Sequence, residues 1–386
     1  MIFNKIKLLT PIFLPILLST IFHFSFANYQ KESDYSSLVL FLSVISVIST
    51  LLLLGKELQY YQCKNLKITI KKDFFTLQIS SFILSFGLFL LYTYKIKEFS
   101  FSPLWILFAP LKVTLDYFVI VLNVLDKAKF VRYTFDILFG MVQIFCLLLY
   151  VYNLIDINIL IIIFLIYFLL TNVTYLYVLR INLLKIDFNY KFTYFKIGKA
   201  MISGLGSFVA KFQFIIMSIV SPEIIGIANI AFTISNTISV PYNYISKLNL
   251  PFVLKNKSLF NQRFQKVRNS SILFSIPIVL SIGVFIIFNP IKLKYFENEL
   301  FYYFLIFYLI ASFTDILVGL KSSLVQILGE EKKLIYNLII VLLFSVLISF
   351  IDQSNFQGMI MYVSFVIFSN IFFNYKFKQC FKKDYQ

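Results

Sequence analysis

The stretch NILIIIFLIYFLLTNVTYLYVL, residues 158–179, holds no charged side chain, and its reading decides the fold class. A strand of an outer-membrane barrel alternates apolar and polar positions over about ten residues, so a solid apolar run is not such a strand. A run of roughly twenty residues matches a helix crossing ~30 Å of hydrocarbon. Comparable runs precede it at about 8–27, 36–55, 75–94, 101–125 and 135–152. Others follow at about 197–220, 226–246, 271–290, 299–328, 334–351 and 357–373. Twelve transmembrane helices are therefore expected.

Composition agrees. Of 386 residues, 60% are apolar and 14% charged, and the mean hydropathy is +0.85. A soluble domain is nearer half apolar and a quarter charged, so this chain lacks the polar surface to face water. The fold class is an all-α polytopic membrane protein. Near the N-terminus, Lys5 and Lys7, an apolar run and Ser25-Phe26-Ala27 mimic a cleavable signal. The run is longer than a signal core and holds Pro11 and Pro15, so an uncleaved first helix is expected.

Lysine and arginine set the orientation. With the N-terminus inside, 27 of the 35 basic residues fall on cytoplasmic segments. Five fall outside (Lys31, Lys95, Lys97, Lys292 and Lys294), and Lys112, Lys211 and Lys321 lie within spans. Both termini are therefore expected in the cytoplasm. The net charge of +17 is spread over these flanks rather than gathered on one face, which removes nucleic acid as a partner. Outside connections are too short for a folded catalytic segment. The longest cytoplasmic ones, 56–74, 180–196 and 247–270, mix Lys with aromatic and aliphatic residues, as ordinary flanks or as amphipathic stretches in the headgroup layer do.

Several chemistries fall away. One histidine, His23, and three distant cysteines, Cys63, Cys146 and Cys380, cannot build a zinc site. None of the cysteines lies outside, so no disulfide is expected. No Walker-type or GxGxxG signature is present, and no cofactor is expected.

The informative residues are the charges inside the apolar runs: Lys112, Asp116, Lys211, Asp315 and Lys321. Each would cost about 2.5–3.5 kcal/mol facing lipid, so they must face protein or a wet cavity. Lys112 and Asp116, four apart, share a helix face and can pair. That pair either orients its helix or takes part in transport. Pro110 just before it weakens the helix and can leave carbonyls available to a ligand or water. Asp315 and Lys321, six apart, cannot share a face and must each find a partner elsewhere. Asp116 and Asp315 lie at matched depth in the fourth and tenth spans, as do His23 and Lys211 in the first and seventh. Two six-helix repeats around a central cavity would arrange ionisable groups in this way. His23 alone reads as an interfacial group, and Asp136 as one within reach of the headgroups. Asn123, Gln143, Asn172, Asn229 and Asn236 read as interhelical hydrogen-bond groups, and Gly204 and Gly206 as sites of close helix packing.

Two stretches carry a family resemblance. Ser221-Pro222-Glu223-Ile224-Ile225-Gly226-Ile227-Ala228-Asn229-Ile230-Ala231 resembles the helix seven to eight junction of polysaccharide flippases, an "S-x-E-x-x-G" turn followed by "Y-x-x-A", with Ala228 where Tyr is usual. Pro241 and Pro251 fit the same pattern. Leu324-Val325-Gln326-Ile327-Leu328-Gly329 and the charged Glu330-Glu331-Lys332-Lys333 resemble that family's helix ten exit. The motifs cover roughly residues 197–350. One departure is Lys211-Phe212-Gln213-Phe214, where such flippases often carry a carboxylate.

The resemblance implies an O-antigen or capsule flippase of the multidrug/oligosaccharidyl-lipid/polysaccharide exporter superfamily. Such a protein is not an enzyme. It moves a polyprenyl-diphosphate-linked oligosaccharide across the bacterial inner membrane, with membrane lipid, a polysaccharide polymerase and chain-length proteins as further partners. Its expected layout is a six-helix lobe over 1–190, a second over 191–373 and a basic cytoplasmic tail at 374–386. Lys112, Lys211 and Lys321 are the candidates to receive the diphosphate, and Asp116 and Asp315 the candidates for ion coupling or counter-charge. The rivals are a small-molecule exporter of the same superfamily, which would favour carboxylates in its cavity, and a membrane polymerase or glycosyltransferase.

Overall fold

The computed structural model describes residues 2–29, 32–53, 77–87, 90, 105–125, 127–179, 197–289, 294–328, 331–351 and 356–381. The connections 56–74 and 180–196, with Cys63, Lys31, Lys95, Lys97, Lys292, Gly329 and Glu330, lie outside the described residues. Helices dominate the described residues, and each expected span except 299–328 falls on a single one. These are α1 (Ile2–Tyr29), α2 (Glu32–Leu53), α3 (Leu77–Gly87), α4 (Trp105–Val124), α5 (128–151) and α6 (Ile157–Leu179). Then come α7 (Ile197–Val220), α8 (Ile225–Lys255), α9 (Phe260–Phe288), α10 (Glu299–Val318), α11 (Leu320–Leu328), α12 (Glu331–Ile351) and α13 (Gln357–Phe381). Among the described residues, seven helices are long and apolar enough by themselves to cross a membrane.

The chain forms two compact helical units. The first comprises Met1–Tyr29 and Leu40–Phe212, the second Gln30–Val39 and Gln213–Gln386. Both turn apolar side chains outward: Leu170 and Leu148 in the first, Ile287, Leu280 and Leu347 in the second are all exposed. In water these would be liabilities; against acyl chains they are the expected surface. Packing inside each unit therefore rests on close van der Waals fit and interhelical hydrogen bonds rather than on expulsion of water.

In the first unit, α1 crosses α5 at Gly140, where an added Cβ would lie 2.7 Å from the Leu18 Cβ. Phe108 of α4 stacks edge-on against Phe41 of α2 and Phe168 of α6, each at 5.1 Å between ring centroids. The Asn172 amide of α6 donates to the Leu111 carbonyl at 3.0 Å. The Pro110 carbonyl accepts the Thr114 hydroxyl at 2.7 Å. The carbonyls around the proline are thus taken by the protein's own donors. α5 carries an irregularity the sequence does not announce. Arg132–Ile137 form a π-helical turn, with the Leu138 N–H reaching back to the Tyr133 carbonyl. The Tyr167 hydroxyl of α6 donates to the Thr134 carbonyl at 2.8 Å, and the Thr134 hydroxyl lies 2.8 Å from that of Tyr175. Such wide turns survive where neighbours satisfy the displaced backbone.

In the second unit, Phe232 of α8 meets Phe214, Tyr308 and Tyr362 edge-on at 5.2–5.5 Å. The Tyr308 hydroxyl donates to the Gln213 side-chain oxygen at 2.9 Å. The start of α13 lies against α7, with an added Cβ on Gly358 only 2.5 Å from the Gln213 carbonyl oxygen. Ser221 and the 3-10 turn Pro222–Ile224 form the short junction into α8. The motif glycine, Gly226, sits where its Cβ would approach Tyr35, Tyr295 and Ser36 at 3.1–3.4 Å, and Asn229 donates to the Tyr35 hydroxyl at 2.9 Å. The junction motif thus has a packing role.

Three expectations need correction. The span 299–328 is not one helix: it breaks at Gly319, whose φ of +53° and ψ of −134° an L side chain rarely adopts. The connection 247–270 is mostly helix, because α8 runs to Lys255, α9 starts at Phe260, and a 3-10 turn at Lys257–Leu259 joins them. Gly206 does not mediate packing, since nothing lies within 4 Å of the Cβ it lacks. The described part of the basic tail continues α13 to Phe381.

Candidate functional site: charges within the helical units

Four-residue spacing on α4 does what the sequence promised. The Lys112 ammonium lies 2.5 and 2.6 Å from the two Asp116 carboxylate oxygens. A charge-assisted bond of this kind is roughly twice as strong as a neutral one. The Ser49 hydroxyl of α2 adds a third donor to Asp116 at 2.6 Å. The Phe135 ring, within the π-helical turn of α5, lies 5.7 Å from the Lys112 Nζ. Beside the pair, the Gln78 amide of α3 donates to the Thr114 hydroxyl. Lys112 and Asp116 keep 21% and 26% side-chain exposure, so the pair is half-buried rather than sealed.

Lys211 lies in the same unit, within electrostatic reach of both Lys112 and His23. The first unit therefore gathers two of the three candidate lysines and the histidine. Asp116 is set against Lys112. Asp136, expected near the headgroups, is ion-paired with Arg132 across the π-helical turn at 2.6 Å.

The second unit holds the other two charges apart from each other. The Asp315 carboxylate accepts from the Asn370 amide of α13 at 2.6 Å. The Lys321 ammonium donates to the Asn374 side-chain oxygen at 3.1 Å. It also lies 4.8 Å from the Phe264 centroid and 5.8 Å from that of Phe377. As the spacing required, each finds its partner on another helix.

The first unit thus holds a half-buried lysine–carboxylate pair with a second lysine within electrostatic reach, an arrangement able to exchange its carboxylate for another oxyanion. Sequence reasoning missed Ser49, Phe135, Asn370 and Asn374. The two asparagines carried a signal, a polar pair at four-residue spacing at the end of the last apolar run. Ser49 and Phe135 carried none. Of the proposed interhelical amides, Asn172 and Asn229 make such bonds.

No family model and no curated protein matches the chain by sequence. Solved structures do match by fold. The crystal structure of MATE in complex with MaL6 superposes with a TM-score of 0.56 at 12% identity, covering 96% of this chain and 94% of that one. A crystal structure of a MATE point mutant, with alanine in place of a proline, gives 0.57 at 12% identity, over 96% and 93%. An outward-facing multidrug resistance MATE family transporter of the MOP superfamily gives 0.55 at 13%, again over 96% and 93%. At such identities the likeness shows the fold alone. The chain is a multi-pass, all-helical membrane protein with a two-lobed fold similar to that of the MATE structures.

Proposed function

We propose that this protein is a flippase that moves a polyprenyl-diphosphate-linked oligosaccharide repeat unit across the bacterial inner membrane for O-antigen or capsule assembly, with both termini in the cytoplasm. The observation that carries the reading is the half-buried Lys112, held by Asp116 within a membrane-spanning helix and with Lys211 in the same unit of a MATE-like fold. A diphosphate entering such a group exchanges water for ammonium donors, where bare hydrocarbon offers none. Asp116 holds Lys112 in place until the phosphate competes for it. The flippase-like junction around Gly226 and the exit around Gln326 support the same substrate class.

The test is flipping of a labelled lipid-linked oligosaccharide in vesicles holding the purified protein. Glu at Lys112 or Lys211 should abolish flipping while the protein still inserts. Arg should retain more activity than Ala, because charge is the proposed role. Normal flipping by both Ala variants would refute the cationic-site reading.

A second reading, export of small cationic molecules, is favoured by one observation: a structure of similar fold is that of a multidrug resistance transporter. Here Asp116, with its Ser49 donor, would be the binding group and the lysines its counter-charges. Uptake of a cationic dye into inverted vesicles, lost in Asp116→Asn and intact in Lys211→Ala, would select this reading over the first.

A further inference from the structure

The Phe264 ring on α9 is flanked by two cations from different helices. The Arg268 guanidinium lies 5.5 Å from its centroid and the Lys321 ammonium of α11 4.8 Å. A ring face attracts one cation readily. Two on one ring, with exposed Lys378 of α13 also within electrostatic reach of Lys321, form a like-charged group. Among the described residues no carboxylate is ion-paired with any of these three. Lys321 is held by Asn374, a neutral acceptor that occupies one of its three N–H donors. The floor beneath is aromatic: Phe260, Phe264 and Phe377 are buried, with Phe260 stacked on Phe264 at 5.5 Å and tilted against Phe377 at 4.8 Å.

Place in the fold indicates which class of anion these cations suit. α9, α10 with α11, α12 and α13 cross in succession, so the start of α9, the end of α11 and the end of α13 reach one membrane face. On α9 the apolar run begins just after Arg268, and on α13 it ends just before Asn374. The cations therefore stand at the boundary where headgroup phosphates lie. Beyond them, Leu273, Ile276 and Ile371 are exposed, a surface for acyl chains.

We propose that Arg268, Lys321 and Lys378, seated on Phe264 and Phe377, bind the phosphate of an anionic membrane phospholipid. A soluble phosphate would make use of the cations but not of the adjoining apolar surface. The site stands independently of the transported substrate.

The full chain in nanodiscs of mixed phosphatidylglycerol and phosphatidylcholine, analysed by native mass spectrometry after mild release, should retain phosphatidylglycerol selectively. Each cation replaced by Gln should weaken retention about fivefold, and Arg268→Gln with Lys321→Gln about twenty-five-fold. The exposed Lys378→Gln tests the site without disturbing the aromatic floor. Lys294→Gln, at the opposite membrane face, should change nothing. Equal retention of both lipids, or undiminished retention in the double and Lys378 variants, overturns the proposal. Displacement by millimolar inorganic phosphate would assign the site to a soluble anion, and competitive displacement by lipid-linked diphosphate would assign it to transport; either outcome also overturns it.

Discussion

Asp315 and Lys321, opposite charges on either side of the Gly319 break, are bound by Asn370 and Asn374, which stand one turn apart on a single helix. In an unbroken helix, residues six apart project in different directions. The break turns Lys321 so that both charges address α13. One glycine thus decides whether the two charges share a partner helix.

Replacing Gly319 by Ala should therefore do more than strain one residue. A side chain at this φ and ψ costs about 1–3 kcal/mol, and straightening the break would withdraw Lys321 from Asn374. Thermal unfolding of the purified protein should show a lowered Tm. Asn374→Leu, which spares the backbone, should show a smaller drop.

The Lys112–Asp116 pair separates two roles. Removing one partner of a sealed pair costs about 3–5 kcal/mol; with both side chains partly exposed, about 1–3 kcal/mol is expected here. Replacing both by Leu should restore stability and function together if the pair only orients α4. If Asp116 or Asp315 couples transport to an ion gradient, Asp116→Asn and Asp315→Asn should fold normally and lose their response to an imposed proton or sodium gradient. Gradient-driven flipping that persists in both would leave the carboxylates as counter-charges.

Topology is open to direct measurement. Reporter fusions after Asp156 and Asp352 should read outside, and fusions after Lys191 and Lys257 inside. An outside signal after Lys191 would contradict two halves of six spans each.

Glycines offer a paired control. Gly358→Ala would push a Cβ to 2.5 Å from the Gln213 carbonyl oxygen, a backbone atom that cannot swing away. It should destabilise by about 1–3 kcal/mol. Gly206→Ala meets open space and should be neutral or stabilise by up to about 1 kcal/mol through helix propensity. Opposite Tm shifts in the two variants would confirm the assignment.

What is legible in the sequence follows from which properties are local. Apolar length and charge spacing are local, so the spans and the Lys112–Asp116 pair can be read directly. The Gly319 break cannot, because a lone glycine in an apolar run is ordinarily tolerated and only a tertiary arrangement demands its φ. Gly206 misleads for the converse reason: glycine permits close approach but does not show that a neighbour is there. The partners of Asp315 and Lys321 depend on which helices are adjacent, and only the fold supplies that. The same holds for Tyr35, whose contact with Asn229 spans nearly two hundred positions.

The wide turn at Arg132–Ile137 has a consequence for how this chain tolerates change in length. A π-helical turn is an α-helix with one residue too many, held open here by Tyr167 and Tyr175 on its backbone and side chains. Deleting a single residue within it would close the turn to ordinary α geometry and leave Gly140 still facing Leu18. A deletion in the regular helix beyond the turn has no such slack to take up and would rotate the residues that follow it by about 100°. One-residue gaps among homologous chains should therefore cluster at 132–137, marking where the helix acquired its extra residue.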